Sequence, residues 1–172
     1  LFVGTRFRGG GTVYAVRNAL GGNPIVLKFA EGLNMPNGVA LHGGALYVAE
    51  QKRLIRYPGA ESSLDKPPQA EVVDGALPFK GALHSWKYLA VGPDGKLYTS
   101  IGDGGSGGDP QDRSQNIRSD FGKLLALDVS KPHHAAMVVA CTRLLRGSGY
   151  VGFNGDLPEQ PQHSALASEY AH

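Results

Sequence analysis

Two side chains in this sequence are of the right type to move a proton. His84 precedes the apolar run YLAV (88–91), Asp103 follows the run LYTSI (97–101), and between the runs stands Gly92-Pro93-Asp94-Gly95. Residues equidistant from a hairpin turn face each other across an antiparallel pair. The midpoint of positions 84 and 103 is 93.5, inside that turn, so both side chains are predicted to emerge together at one end of the ribbon. A carboxylate beside an imidazole fixes its tautomer and stabilises the imidazolium, which would make His84 an oriented general base. The alternative is a surface histidine with a helpful neighbour.

The segment after the second run adds to the case. It opens Gly102-Asp103-Gly104-Gly105-Ser106-Gly107-Gly108-Asp109-Pro110 and continues to Phe121-Gly122. Long loops on a rigid scaffold are where function concentrates. Glycines such as Gly104 and Gly105 let a backbone approach a ligand closely. Asp103, Asp109 and Asp112 offer negative oxygens, either to a calcium ion or to Asx turns in a flexible connector; the EF-hand spacing is absent.

The elements that must position these residues come from a repeat. Leu1-Phe2-Val3-Gly4-Thr5 matches Leu46-Tyr47-Val48-Ala49-Glu50, which matches Leu97-Tyr98-Thr99-Ser100-Ile101, at offsets of 45 and 51 residues. A second short strand follows each copy (12–16, 53–57, 123–127), and a strand and tight turn precede copies two and three. IVLKF (25–29) and AEVV (70–73) fit as outer strands. About four short strands per ~45 residues is the mark of a β-propeller blade, whose twisted sheet buries its faces only by stacking on neighbours. The fold predicted is all-β, a partial β-propeller of about three blades over residues 1–130; an open meander or sandwich is the alternative. Three blades do not close a ring of ~4–8, so the chain, beginning at Leu1 inside an apolar run, reads as a piece of a longer protein or as one that assembles with other copies. Residues 131–172 form an atypical tail, with one short helix expected over 135–145 and disorder over 156–172. Its His133-His134 pair reads as solvent-exposed histidine, since no further ligand has metal spacing.

Composition narrows the function classes. Among 172 residues, 17 Lys and Arg against 15 Asp and Glu leave a charge of +2, which gives no footprint for nucleic acid and no polybasic face for a membrane. No apolar stretch approaches the ~18 residues of a membrane span. A single cysteine, Cys141, rules out an intramolecular disulfide. The 25 Gly and 11 Pro break long helices and favour short strands joined by turns.

The same residues carry a family likeness. HSWK (84–87), LAVGPDGKLYTSIGDGGSGGDP (89–110), Gln115-Asn116 and FGKLLALDV (121–129) resemble the glucose/sorbosone dehydrogenase family, six-bladed propellers that use pyrroloquinoline quinone (PQQ). GLNMPNGVALHGGALYVAEQKRLIRY (32–57) and DKPPQAEVV (65–73) resemble its sorbosone-dehydrogenase branch. The resemblance implies oxidation of a sugar or aldehyde with PQQ and calcium as cofactors, an external electron acceptor, and a periplasmic or secreted location. It implies that His84 takes the proton of the substrate C1 hydroxyl and that Asp103 orients it. By their own chemistry, Trp86 (ligand stacking or core), Lys87 (an anionic group or water), Gly104, Gly105 and Arg113 are candidate cofactor contacts; Arg113 and Arg118 suit the carboxylates of PQQ, without support from their spacing. The later blades through which family members hold PQQ are not in this sequence, so the activity expected is that of the parent family.

Asn34 occupies in copy two the place of His84 in copy three, and Glu50 ends the partner strand; both are candidate substrate contacts, or a turn cap and a solvated carboxylate. NMPNGVAL through LYVAE (34–50) also resembles calcium-dependent lactonases of the gluconolactonase type, for which Asn34, Asn37 and Glu50 would be metal ligands. A non-catalytic propeller acting as a binding module is the third reading.

Overall fold

The computed structural model describes residues 1–7, 9–81, 84–105 and 107–130, and the backbone of 136–141. Its strands form three antiparallel sheets, each a meander in chain order. The first holds β1 (Phe2–Gly4), β2 (Gly11–Arg17) and β3 (Ile25–Leu33). The second holds β4 (Gly38–His42), β5 (Ala45–Ala49), β6 (Leu54–Pro58) and β7 (Glu71–Asp74). The third holds β8 (Leu89–Val91), β9 (Leu97–Ile101), β10 (Lys123–Leu127) and β11 (Ala136–Cys141). The repeat in the sequence is thus a repeat of sheets: β1, β5 and β9 are its three copies, and β3 and β7 lie on outer edges as expected. A 3-10 turn at Ala60–Ser62 is the helical element among the described residues, and none there is long and apolar enough to cross a membrane.

Stacking the sheets buries them. On β5, period-two alternation sends Leu46 and Val48 to one face and Ala45, Tyr47 and Ala49 to the other, and all five are buried. Leu46 and Val48 meet Val13, Ala15, Phe29 and Leu33 of the first sheet. Phe29 makes edge contacts with Phe2 and Tyr57, ring centroids 5.2 Å apart in each pair. The opposite face of β5 meets Leu97, Ile101, Leu125 and Leu127 of the third sheet. β4 lies beside β1 on one side and β8 on the other, so the first strands of the second and third sheets form a shared inner edge. Leu46 has no exposure, and Leu46→Ala is expected to cost about 2–5 kcal/mol in urea unfolding. Val72→Ala, on the open face of β7, should stay within about 0.5 kcal/mol.

One expected element is different. Ala136–Cys141 is a strand paired with β10, Leu127 opposite Ala136 and Leu124 opposite Ala140, rather than part of a helix over 135–145. The outer edge of β10 offers a row of backbone donors and acceptors, and Val138-Val139 favours extended backbone, so the edge prevails over weak helical propensity. The remainder of that helix, the four histidines at 133, 134, 163 and 172 and the disorder expected over 156–172 lie outside the described residues.

Candidate active site

The hairpin that carries the two candidate residues is tightly closed. Gly95 takes φ 76° and donates to Gly92 O (3.0 Å), while Asp94 Oδ1 accepts from Lys96 N (3.2 Å). The β8–β9 ladder is centred on Asp94, with Val91 opposite Leu97 and Leu89 opposite Thr99. It stops there, and Ser85 to Tyr88 make no ladder bonds.

His84 and Asp103 meet at the end of this ribbon, with His84 Nδ1 2.6 Å from Asp103 Oδ1. A carboxylate oxygen only accepts, so Nδ1 carries the hydrogen, and in the neutral ring Nε2 presents its lone pair. Nε2 has no hydrogen-bond partner among the described residues, and the His84 side chain is 26% exposed against 10% for Asp103. His84 sits at φ 51°, a strained conformation for a non-glycine residue. Its carbonyl packs against Gly102, where a Cβ would come within 2.1 Å of His84 O.

Asp103 is braced from behind by the insertion. Arg113 Nη1 donates to Asp103 O (3.0 Å), and the guanidinium lies over the Phe121 ring, 5.5 Å from its centroid. Asp109 is buried, and its two carboxylate oxygens accept from Arg113 N and Ser114 N (3.0 and 2.9 Å). Buried Lys123 sends its ammonium to the carbonyls of Arg113, Ser114 and Phe121 (3.1, 3.1 and 2.7 Å). These bonds lace the insertion to β10. Gly104 takes φ 66° against Phe121, and Gly105 lies beside the Gln111 side chain.

Burial alternates along the segment leading to β8. Ser85 and Lys87 are buried at 3% and 1% exposure, while His84 and Trp86 are half-buried and Tyr88 is exposed. The Arg6 guanidinium lies over the Trp86 ring, 3.8 Å from the centroid. Arg6 was legible in the sequence only as part of a loop; nothing in the spacing joins it to Trp86.

Lys87 turns inward. Its Nζ donates to Gln51 O (2.7 Å) and Ser85 O (3.3 Å), with no ion pair among the described residues. Burial of the unpaired ammonium lowers its pKa from 10.5 to about 8. Below that value the amine is charged in both folded and unfolded chains, and the folded state bears the desolvation penalty. Between about 8 and 10.5 the unfolded chain holds a proton that the folded chain has shed, so stability should rise with pH across this window. The full rise is about 3 kcal/mol. Lys87→Met should abolish it, as read by urea unfolding at pH 7.5, 9 and 10.5.

The backbone N–H of Asn34 and the side chain of Glu50 are joined by a hydrogen bond, and Asn34 is half-buried. Buried Glu50 accepts from Asn34 N through Oε1 (2.6 Å) and from Arg53 Nε through Oε2. Its two oxygens are thus engaged by protein donors. Asn37 holds both amide atoms buried without a hydrogen-bond partner among the described residues. Among the described residues, no group of three or more His, Cys, Asp or Glu is arranged to hold a metal ion.

No family model matches the chain. A stretch of 53 residues, 31% of the chain, is 47% identical to the HIPL1 protein of Arabidopsis thaliana and spans 7% of that protein. Solved structures with a similar fold include the PQQ domain of pyranose dehydrogenase from Coprinopsis cinerea in its holo form (TM-score 0.58, 12% identity, covering 77% of this chain and 34% of that one). They include an oxidoreductase described as a glucose dehydrogenase from Thermus thermophilus (TM-score 0.56, 21% identity, 74% and 40%). A Trichoderma reesei enzyme of carbohydrate-active family AA12 is a third (TM-score 0.54, 19% identity, 72% and 32%). The chain therefore spans roughly a third of the length of these structures. What the chain shares with these structures is the fold, part of a β-propeller, represented here by three sheets.

Proposed function

We propose that this chain forms the base-bearing rim of a PQQ-dependent sugar or aldehyde dehydrogenase, with His84 as the general base and Asp103 as the group that orients it. The observation that carries the reading is the 2.6 Å contact from His84 Nδ1 to Asp103, with Nε2 making no hydrogen bond to any described residue. The fold shared with PQQ-domain enzymes supports the same reading. A sugar hydroxyl presented to Nε2 would transfer its proton there, and Asp103 would stabilise the resulting imidazolium. PQQ, when bound, supplies a two-electron acceptor for the hydride that leaves the same carbon; an external acceptor would reoxidise it.

The residues present suit that cofactor in part. Half-buried Trp86, two residues from His84, is the side chain that would lie along a planar ring system. Lys87 and Arg113, candidate cofactor contacts by their chemistry, direct donors at backbone carbonyls instead and serve as braces. The described residues do not provide a calcium cage, so no step is assigned to that ion. Export to the periplasm or the cell exterior belongs to the same proposal.

Dye reduction with aldoses, after reconstitution with PQQ and calcium, tests the proposal. Turnover that needs PQQ and disappears in His84→Ala is expected. Lactone hydrolysis that proceeds without PQQ, or full dye reduction in the variant, would overturn it.

A further inference from the structure

The geometry points to a carboxylate receptor built from Arg6 and Trp86 beside the His84 base, an inference that rests on reading this rim as the reaction site. Arg6 leaves the first sheet in the loop after β1 and reaches Trp86, in the segment leading into the third sheet, 3.8 Å from the ring centroid. The contact therefore spans from one sheet to the next but one. Arg6 is exposed and has no ion pair with any described residue. The indole covers one side of the guanidinium and restrains it, while N–H groups at its edge remain free to donate. A guanidinium held this way matches the two oxygens of a carboxylate with a pair of parallel hydrogen bonds. Trp86 follows His84 by two positions, which places the receptor beside the base, whereas Lys87 next to it is buried. The ligand is thus one that brings a carboxylate to within about two residues' reach of the base. Two sources fit: a carboxylate of the quinone cofactor, or the acid group of an acidic sugar such as a uronic acid.

Trp86 is the sole tryptophan in the chain, so its emission reports directly on what occupies this place. The full chain is titrated with PQQ, with glucuronate and with glucose, at low and high salt. A saturable change in emission with one or both carboxylates is expected, and Arg6→Gln should weaken that affinity about 10- to 100-fold. Arg6→Lys keeps the charge but lacks the fork and should fall between the two. It also serves as the comparison if circular dichroism shows Arg6→Gln to be unfolded. A response to PQQ but not glucuronate assigns the receptor to the cofactor, and a response to glucuronate assigns it to the sugar acid. Equal affinities in wild type and the Arg6 variants, or no saturable response to either carboxylate, overturn the inference. A purely structural Arg6 would shift the melting temperature and leave these affinities alone. His84→Ala should bind the carboxylate normally while losing turnover, so failure of the base assignment and failure of the receptor are read separately.

Discussion

Replacing His84 with alanine is expected to lower PQQ-dependent dye reduction by about 10²–10⁴-fold, the usual worth of a positioned general base. The loss should fall on kcat with KM nearly constant, because the imidazole interacts most strongly with the proton in flight. Folding should change little, since the side chain is a quarter exposed and its one described bond is to Asp103. Asp103→Asn gives the matching test. An amide can donate to Nδ1 as readily as it accepts, and the tautomer with hydrogen on Nε2 then becomes available, which cannot take a proton. In serine proteases the equivalent change lowers kcat about 10⁴-fold with the geometry intact. If His84→Ala were inactive and Asp103→Asn fully active, the imidazole would be acting without its carboxylate and the orienting role would be lost. Equal activity of both variants and wild type would remove the pair from the chemistry altogether.

The contact itself was legible because it follows from a count. Gly92-Pro93-Asp94-Gly95 permits one kind of tight turn, and once a turn is placed, antiparallel pairing fixes what faces what. The ladder is centred on Asp94, half a residue from the midpoint read in the sequence, and it ends five residues short of His84. Closure of the last gap depends on His84 adopting φ 51°, which a count of positions does not contain. The sheets were legible for a similar reason: L-[FY]-[VT] recurs at the spacing one blade requires.

What could not be read is what depends on long-range packing. Nothing local announces that Lys87 turns inward to Gln51 O, because a lysine's burial is decided by the neighbouring sheet that covers it. Arg6 and Trp86 are 80 positions apart and belong to different copies of the repeat. The edge of β10 claims Ala136–Cys141, where the alanines and Met137 suggest a helix and the pairing edge lies in another part of the chain. Glu50 looked like a rim carboxylate open to ligands, and only the structure reveals Arg53 and Asn34 N at its two oxygens.

Gly102→Ala should be nearly as damaging as loss of the base, and for a reason of space alone. A Cβ at this position would lie 2.1 Å from His84 O and 2.9 Å from both His84 C and His84 Cβ. Two of these three atoms are backbone, so no rotamer change relieves the overlap, and the chain carrying His84 must move. Gly122 N donates to Gly102 O (3.0 Å), which ties the other side of Gly102 to the start of β10 and limits how far it can retreat. Overpacking of this kind costs about 1–3 kcal/mol. The larger effect is on geometry, because a displacement of ~1 Å between reacting groups lowers rate by about 10²-fold. Gly107→Ala is the control, in the same insertion but with nothing within 4 Å of the added Cβ. The expected result is a Gly102→Ala protein that still unfolds cooperatively, with a lowered urea midpoint and about 1% of wild-type turnover, beside a Gly107→Ala protein close to wild type. Turnover unchanged in Gly102→Ala would mean that the distance between His84 and Asp103 does not govern the rate, since the added methyl group cannot be accommodated without altering the backbone that sets it.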